Sequence, residues 1–206
     1  MSAYTNFVQD FPLRCKAILE SFEESATQDG REVTLLLSMA SAGLCFPFQR
    51  LQRPNQGAAV RERRTPRFSA ACQKFDRLML DRTKFIDSDL CAHPDAWSFG
   101  RLSDPDRDPD AWPELTKLTP VTKYTTVKTV VLHIRNALAH ANLVSRGDPI
   151  ALLVFVAKPD PDRPQYDYLA VNPDEFRLFL QRWFDFIEGL NIPGKAVHPP
   201  VAQKTG

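Results

Sequence analysis

The stretch "VLHIRNALAHANLV", Val131–Val144, places polar residues inside an otherwise apolar run. The segment before it is rich in β-branched residues, which on propensity alone favour a strand. The spacing of its apolar residues instead follows one face of a helix. These residues are Val127, Val130, Val131, Ile134, Leu138 and Ala141. The sequence therefore predicts a long helix that begins at Thr119–Pro120, with threonine as the N-cap and proline at the first helical position.

A helical wheel shows where the polar residues of this helix point. With Val127 at zero and about 100° per residue, Arg135 falls near 80°, Asn136 near 180° and His140 near 220°. Leu132, Ala139 and Leu143 fall between about 120° and 160°, opposite the first apolar face. A second apolar face needs a second covering surface, from the same chain or from another copy.

The wheel also separates the arginine from the histidine. Arg135 and His140 point about 140° apart on this geometry, so they hardly converge within one chain. Across a two-fold axis, the arginine of one copy can approach the histidine of the other. The pattern therefore predicts a homodimer with a shared site.

The residue types suit metal-independent cleavage of an RNA phosphodiester. An imidazole such as that of His140 can accept the 2′-hydroxyl proton or protonate the leaving 5′-oxygen. Arg135 can neutralise charge that builds on the phosphorane oxygens, and Asn136 can orient the histidine or the phosphate. Taken singly, each residue is more often a surface residue or a satisfied buried polar group.

The segment "RNALAH" resembles the Arg-x4–6-His motif of the HEPN superfamily, with Asn136 at the polar position that often follows the arginine. The N-terminal "REVTLLLSMASAGLCFPFQRL" is similar to small plasmid- and phage-defence HEPN proteins. The resemblance implies a dimeric helical bundle and an endoribonuclease that acts as a toxin or antiphage effector, with a possible antitoxin partner. Some HEPN toxins carry a tyrosine two residues beyond the histidine. Asn142 occupies that position here, which puts adenylylation at this site in doubt.

The rest of the chain predicts a mainly α fold. Amphipathic helices are expected near Thr5–Ser25 and near Phe68–Ile86, with a buried helix broken near Pro47 between them. A β-hairpin at about 150–171 precedes a last helix that Asn172 caps and in which Glu175 takes the capping-box position. This gives about five helices with one inserted hairpin, in a single domain over 1–190 followed by a flexible tail over 191–206.

Two irregular loops are expected, at about 53–67 and 87–118. The first belongs to an arginine-rich stretch that is either a solvated loop or a mobile arm that touches phosphates. Arg61, Arg63 and Arg64 are its candidate RNA-binding residues, together with His133, which is expected on a dimer surface or behind the site. The second loop holds two "PDAW" tetrapeptides, whose tryptophans are expected to pin it.

Bulk composition excludes several classes. The net charge of +1 gives no global attraction to nucleic acid or membrane. The four scattered cysteines predict free thiols, and neither a metal site nor a cofactor is expected. The longest apolar run is expected to be too short to span a bilayer, and we therefore expect a cytoplasmic protein.

Two functions remain open at this level. One is the homodimeric endoribonuclease. The alternative is a HEPN-like module that binds RNA or a protein without cleavage, for which the basic stretch would suffice.

Overall fold

The computed structural model describes residues 7–52, 66–104, 108–158 and 165–192. Five α-helices lie in these ranges: α1 (Phe7–Gln28), α2 (Glu32–Gln52), α3 (Pro66–Leu78), α4 (Val127–Ala139) and α5 (Pro173–Glu188). Four strands accompany them: β1 (Trp97–Leu102), β2 (Leu143–Arg146), β3 (Leu152–Ala157) and β4 (Tyr166–Val171). The mainly α prediction is consistent with this architecture.

The β part is larger than the predicted hairpin. Strands β3 and β4 form that hairpin, but the sheet has four antiparallel strands in the order β1-β4-β3-β2. Strand β1 comes from the segment expected to be an irregular loop, and β2 from the segment expected to end a helix. Strand β1 pairs with β4, which lies far along the chain, so local patterns did not reveal it. Strand β2 pairs with β3, which follows it directly, but the helical spacing of the apolar residues before it favoured a longer helix.

The sheet is buried on both faces. Leu153, Phe155, Leu169 and Val171 join the main core with the helices. Val154, Val156, Tyr168 and Ala170 face a smaller core that includes Trp112 and Leu115. The expected role of the two "PDAW" tryptophans is thus confirmed, since Trp97 and Trp112 are 0% and 4% exposed. Each follows a short 3-10 turn, Pro94–Ala96 or Pro109–Ala111.

Helix α2 continues through Pro47 to Gln52, so the predicted break there is wrong. A proline nitrogen cannot donate to the carbonyl four residues earlier, here that of Gly43. The indole Nε1 of Trp183 on α5 donates to this carbonyl instead, at 3.1 Å. A group outside the helix thereby satisfies the acceptor that Pro47 leaves unpaired.

The absence of a side chain at Gly43 brings α2 and α5 together. A Cβ at this position would lie 2.5 Å from Cε1 of Phe184 and 3.2 Å from Cβ of Cys15. Phe184 is fully buried, so its ring has little room to move. The close approach of three helices therefore depends on this glycine.

Length and composition would allow α2 to cross a membrane, since an 18-residue window has a mean hydropathy of 1.2. The expectation that no apolar run is long enough is wrong on these criteria. In the structure α2 packs against α1, α4 and α5. An apolar helix surrounded by other helices is also typical of the centre of a helical domain.

The N-terminus of α5 is an anchor for the segment that leads into β1. Asn172 caps the helix as predicted, its Oδ1 accepting from the Glu175 amide at 2.8 Å. The Glu175 carboxylate, 3% exposed, accepts from the backbone amides of Ala92 and His93, from His93 Nδ1 and from the Trp97 indole. Burial would raise the pKa of Glu175, but the bonds from His93, Trp97 and Ala92 outweigh it and leave the pKa lowered.

The remaining boundaries differ in detail. Helix α4 begins at Val127 with Thr126 as its N-cap, so the predicted start at Thr119–Pro120 is wrong. Residues 119–121 are extended and pair with β1, as the β-branched composition favoured. The cysteines are free, as predicted, with Cys15 and Cys91 buried and Cys45 and Cys72 half-buried.

We expect Gly43→Ala to destabilise the protein by about 1–3 kcal/mol, because the added methyl group overpacks a buried crossing. Urea unfolding monitored by circular dichroism measures this free energy. Ser38→Ala, on the exposed side of the same helix, is the control and should change it by less than about 0.5 kcal/mol. Equal effects of the two substitutions would contradict the role given to Gly43.

We expect Glu175→Gln to destabilise the protein by about 1–3 kcal/mol at pH 7, because an amide cannot accept the same set of hydrogen bonds. The pKa of Glu175 is lower in the folded protein than the usual glutamate value of 4.5. The ionised carboxylate therefore stabilises the fold at pH values above 4.5, and this stabilisation is lost as the pH falls through the pKa of the folded protein. Unfolding measured between pH 3 and pH 7 should therefore show a shallower loss of stability in acid for Glu175→Gln. Asp174→Asn, at an 88% exposed neighbouring position, should behave like the wild type.

Candidate functional site

The end of helix α4 determines where the predicted site residues lie. His140 is the C-cap, and Ala141 has a positive φ of 55°. The Asn142 amide donates to the Ala137 carbonyl at 2.9 Å, and the Ala141 amide to that of Leu138 at 3.4 Å. This is the Schellman pattern, formed here with alanine at the position that glycine usually takes. The chain then turns directly into β2.

This early end changes the wheel argument. Val127, Val130, Val131 and Ile134 are buried as predicted, but Ala141 lies outside the helix and is exposed. Leu143 belongs to β2 and not to a second apolar face of the helix. His140 is the last residue whose amide makes the helical hydrogen bond, to the Asn136 carbonyl at 3.1 Å, so the helical wheel extends no further than His140.

Arg135 is half-buried on α4 and held at two points. Its Nη1 donates to Asn136 Oδ1 at 2.7 Å, and its Nη2 donates to Gln49 Oε1 of α2 at 2.8 Å. Because a guanidinium only donates, the amide oxygen of Asn136 faces the arginine. The amide nitrogen is then the group that Asn136 can offer to a ligand.

His140 lies on the wall of an open cavity of about 370 Å³. Asn136, Asn142, Ala157, Lys158 and Tyr166 line it as well. Arg135 is not among these lining residues, so within the described part of the chain Asn136 links the two predicted catalytic side chains. It bonds to Arg135 on one side and borders the cavity of His140 on the other.

Strands β3 and β4 supply the far wall of this cavity. Ala157 pairs with Asp167, so the next residues outward, Lys158 and Tyr166, emerge side by side at the end of the hairpin. The Lys158 ammonium lies over the Tyr166 ring, 5.3 Å from its centroid. The Val156 amide donates to the Asn142 carbonyl at 2.9 Å and fixes the loop after His140 against β3.

Of the two places expected for His133, the dimer surface is wrong, whereas a place behind the site is consistent with the cavity of about 220 Å³ that His133 and Asn136 both line. Its candidate role in RNA binding stays a prediction. Its side chain is 6% exposed, and Nε2 donates to the Phe155 carbonyl of β3 at 3.0 Å. Its ring packs edge-on against Phe99. Burial lowers the pKa of His133, with the hydrogen bond to Phe155 acting in the opposite direction. His133 therefore joins α4 to the sheet.

Other predicted positions lie outside the described residues. These are Arg61, Arg63 and Arg64 of the basic stretch, most of the predicted loop at 53–67, and the C-terminal tail from residue 193 onward.

Four residues around the site were not predicted from the sequence as site residues: Gln49, Asn142, Lys158 and Tyr166. The predicted hairpin held the signal for two of them, because antiparallel pairing places Lys158 beside Tyr166. Nothing in the local sequence indicates that this end of the hairpin meets His140.

A comparison with protein families identifies the family of this chain. The family model described as HEPN pEK499 p136 matches residues 1–193. Comparison with curated proteins and with solved structures gave no match. The family match covers nearly the whole chain, including the Arg135–His140 segment and the helices and sheet that surround it. The chain therefore belongs to the HEPN family, a membership that points to a nuclease or an RNA-binding module.

Proposed function

We propose that the protein is a metal-independent endoribonuclease, with a composite site formed by Arg135, Asn136 and His140 at a homodimer interface. The observation that carries the proposal is the position of Asn136. It is hydrogen-bonded to Arg135 and shares a cavity wall with His140. The carboxamide and the imidazole thus line one surface opening that a phosphodiester can enter, and the arginine is bonded to the carboxamide from outside that opening.

The reaction uses the 2′-hydroxyl of the RNA as the nucleophile. His140 accepts the proton of this hydroxyl as its oxygen forms a bond to the adjacent phosphorus, or it protonates the 5′-oxygen as the P–O5′ bond breaks. Arg135 neutralises the charge on the non-bridging oxygens of the phosphorane. The products are a 2′,3′-cyclic phosphate and a 5′-hydroxyl, so the step balances without an external nucleophile.

A second copy of the chain would complete the site. His140 lines the cavity and Arg135 leans toward α2, so one protomer offers the two groups on neighbouring but different surfaces. Phe46, one turn before Gln49, is 50% exposed and packs edge-on against Phe7 and Phe11. Such an aromatic patch beside Arg135 suits contact with another protomer.

We expect purified wild-type protein to cleave RNA in EDTA and to leave 2′,3′-cyclic phosphate ends. His140→Ala should lower the rate by roughly 10²–10⁴-fold, because it removes the general acid–base group. Arg135→Ala should lower it by roughly 10²–10³-fold, because phosphorane charge loses its partner. Arg31→Ala, at an exposed position in the turn before α2, is the control and should keep full activity.

The same variants test the proposed cellular role as a toxin or antiphage effector. Expression of the wild type should arrest bacterial growth, and expression of His140→Ala or Arg135→Ala should not. Equal residual cleavage by wild type and His140→Ala, without cyclic ends, would refute the enzyme. RNA binding that survives in both proteins would then favour the non-catalytic binding module.

A mixing experiment tests whether the site is shared between protomers. After subunit exchange, half of the dimers formed from Arg135→Ala and His140→Ala chains are heterodimers, and each contains one intact site out of two. We therefore expect about one quarter of wild-type activity from the mixture of two inactive proteins. No recovery, although heterodimers form by native mass spectrometry, would place Arg135 and His140 of one chain in the same site.

A further inference from the structure

The end of the β3–β4 hairpin has the groups that bind a nucleotide next to His140. We propose that the cavity of His140 is a subsite for one nucleotide of single-stranded RNA, with the base stacked on Tyr166 and a flanking phosphate held by Lys158. The proposal rests on the endoribonuclease function and adds the residues that position its substrate. Its lysine–tyrosine pair lies outside the Arg135–His140 motif and borders the same cavity as Asn136 and His140.

The size of the cavity fits a ligand of this kind. Its volume of about 370 Å³ falls within the range of small-molecule sites, about 300–1,000 Å³. A second cavity of about 220 Å³ shares Asn136, Ala157 and Lys158 with it, so the two lie side by side. Lys158 borders both cavities, so its ammonium can contact the phosphates of an RNA strand that passes from one cavity into the other.

Tyr166 provides the stacking surface. It is half-buried at the start of β4, where pairing with Leu102 of β1 holds its backbone. A ring fixed on a strand offers a preformed face, and stacking on such a face accepts any base. On the facing wall, the amide nitrogen of Asn136 and the carboxamide of Asn142 supply hydrogen-bonding groups for a base edge.

The Lys158 ammonium can move from the Tyr166 ring to the phosphate of a bound nucleotide. Its ammonium lies 5.3 Å from the centroid of the Tyr166 ring, and its side chain is exposed. An exposed cation–π contact is weak, whereas a phosphate attracts an ammonium with a full charge. An entering nucleotide can therefore draw the ammonium to its phosphate and leave the face of the Tyr166 ring to its base.

The chain contains a matched control for this pair. Lys123 lies over the ring of Tyr124, also 5.3 Å from its centroid, and Tyr124 is 80% exposed. Neither residue lines the cavity of His140. Substitutions of Lys123 and Tyr124 thus remove an equivalent lysine–tyrosine pair from a surface that is not part of the proposed subsite.

The test measures binding of fluorescein-labelled 12-nucleotide oligouridine and oligoadenosine RNAs by anisotropy, in a His140→Ala background that prevents cleavage. We expect Tyr166→Ala to weaken binding by roughly 5- to 100-fold and Tyr166→Phe to retain it, because stacking needs the ring and not the hydroxyl. Lys158→Ala should weaken binding and reduce the slope of log K against log salt by about 0.7, the value for one phosphate contact on a single strand. Lys123→Ala and Tyr124→Ala should leave both quantities unchanged.

Two results would overturn the subsite. One is that Lys158→Ala and Tyr166→Ala weaken RNA binding no more than Lys123→Ala and Tyr124→Ala do. The other is that Tyr166→Phe loses as much as Tyr166→Ala, which would exclude stacking. Cleavage by otherwise wild-type protein separates this proposal from the enzyme. If the Lys158→Ala and Tyr166→Ala proteins cut RNA at the wild-type rate, the subsite is refuted and the endoribonuclease is not. If RNA binding depends on Lys158 and Tyr166 but no RNA is ever cut, the endoribonuclease is refuted and the binding site is not.

Discussion

The hydrogen bond from the Trp183 indole to the Gly43 carbonyl is the contact on which the helical core depends. Pro47 leaves this carbonyl without its helical partner, and an unpaired buried carbonyl would cost stability. Trp183 satisfies it only because Gly43 lets α5 approach α2 to within contact of Phe184. One glycine, one proline and one tryptophan thus fix the crossing of two central helices. Because α4 also packs on α2, the crossing sets the surface on which Arg135 meets Gln49.

The other end of α5 connects this core to the sheet. Glu175 gathers hydrogen bonds from Ala92, His93 and Trp97, which hold the chain where it enters β1. His133 ties α4 to β3 through the Phe155 carbonyl. Buried polar groups with full sets of partners specify one arrangement of helices and strands. The hairpin end that carries Lys158 and Tyr166 is therefore held in a fixed position relative to the end of α4.

The site joins two kinds of local structure. Arg135 and Asn136 are on a regular helix, where packing and the bond to Gln49 limit their movement. His140 and Asn142 flank Ala141, whose left-handed conformation is uncommon for a residue other than glycine and redirects the chain into β2. Such conformations persist where surrounding contacts require them. Here the Schellman hydrogen bonds and the bond from Val156 to Asn142 provide those contacts.

The sequence alone determined the helices, the cap at Asn172, the family resemblance and the Arg135–Asn136–His140 motif, because these depend on local spacing and residue type. The family match confirms the resemblance. Only the tertiary structure decided that α4 stops at Ala139, that β1 and β2 extend the hairpin into a sheet, and that His133 is buried. Strand β1 and His133 depend on partners far along the chain, β4 and β3, whereas β2 depends on an antiparallel pairing with the strand that follows it. Local periodicity contains no information about such partners, and the meeting of Lys158 and Tyr166 with His140 has the same cause.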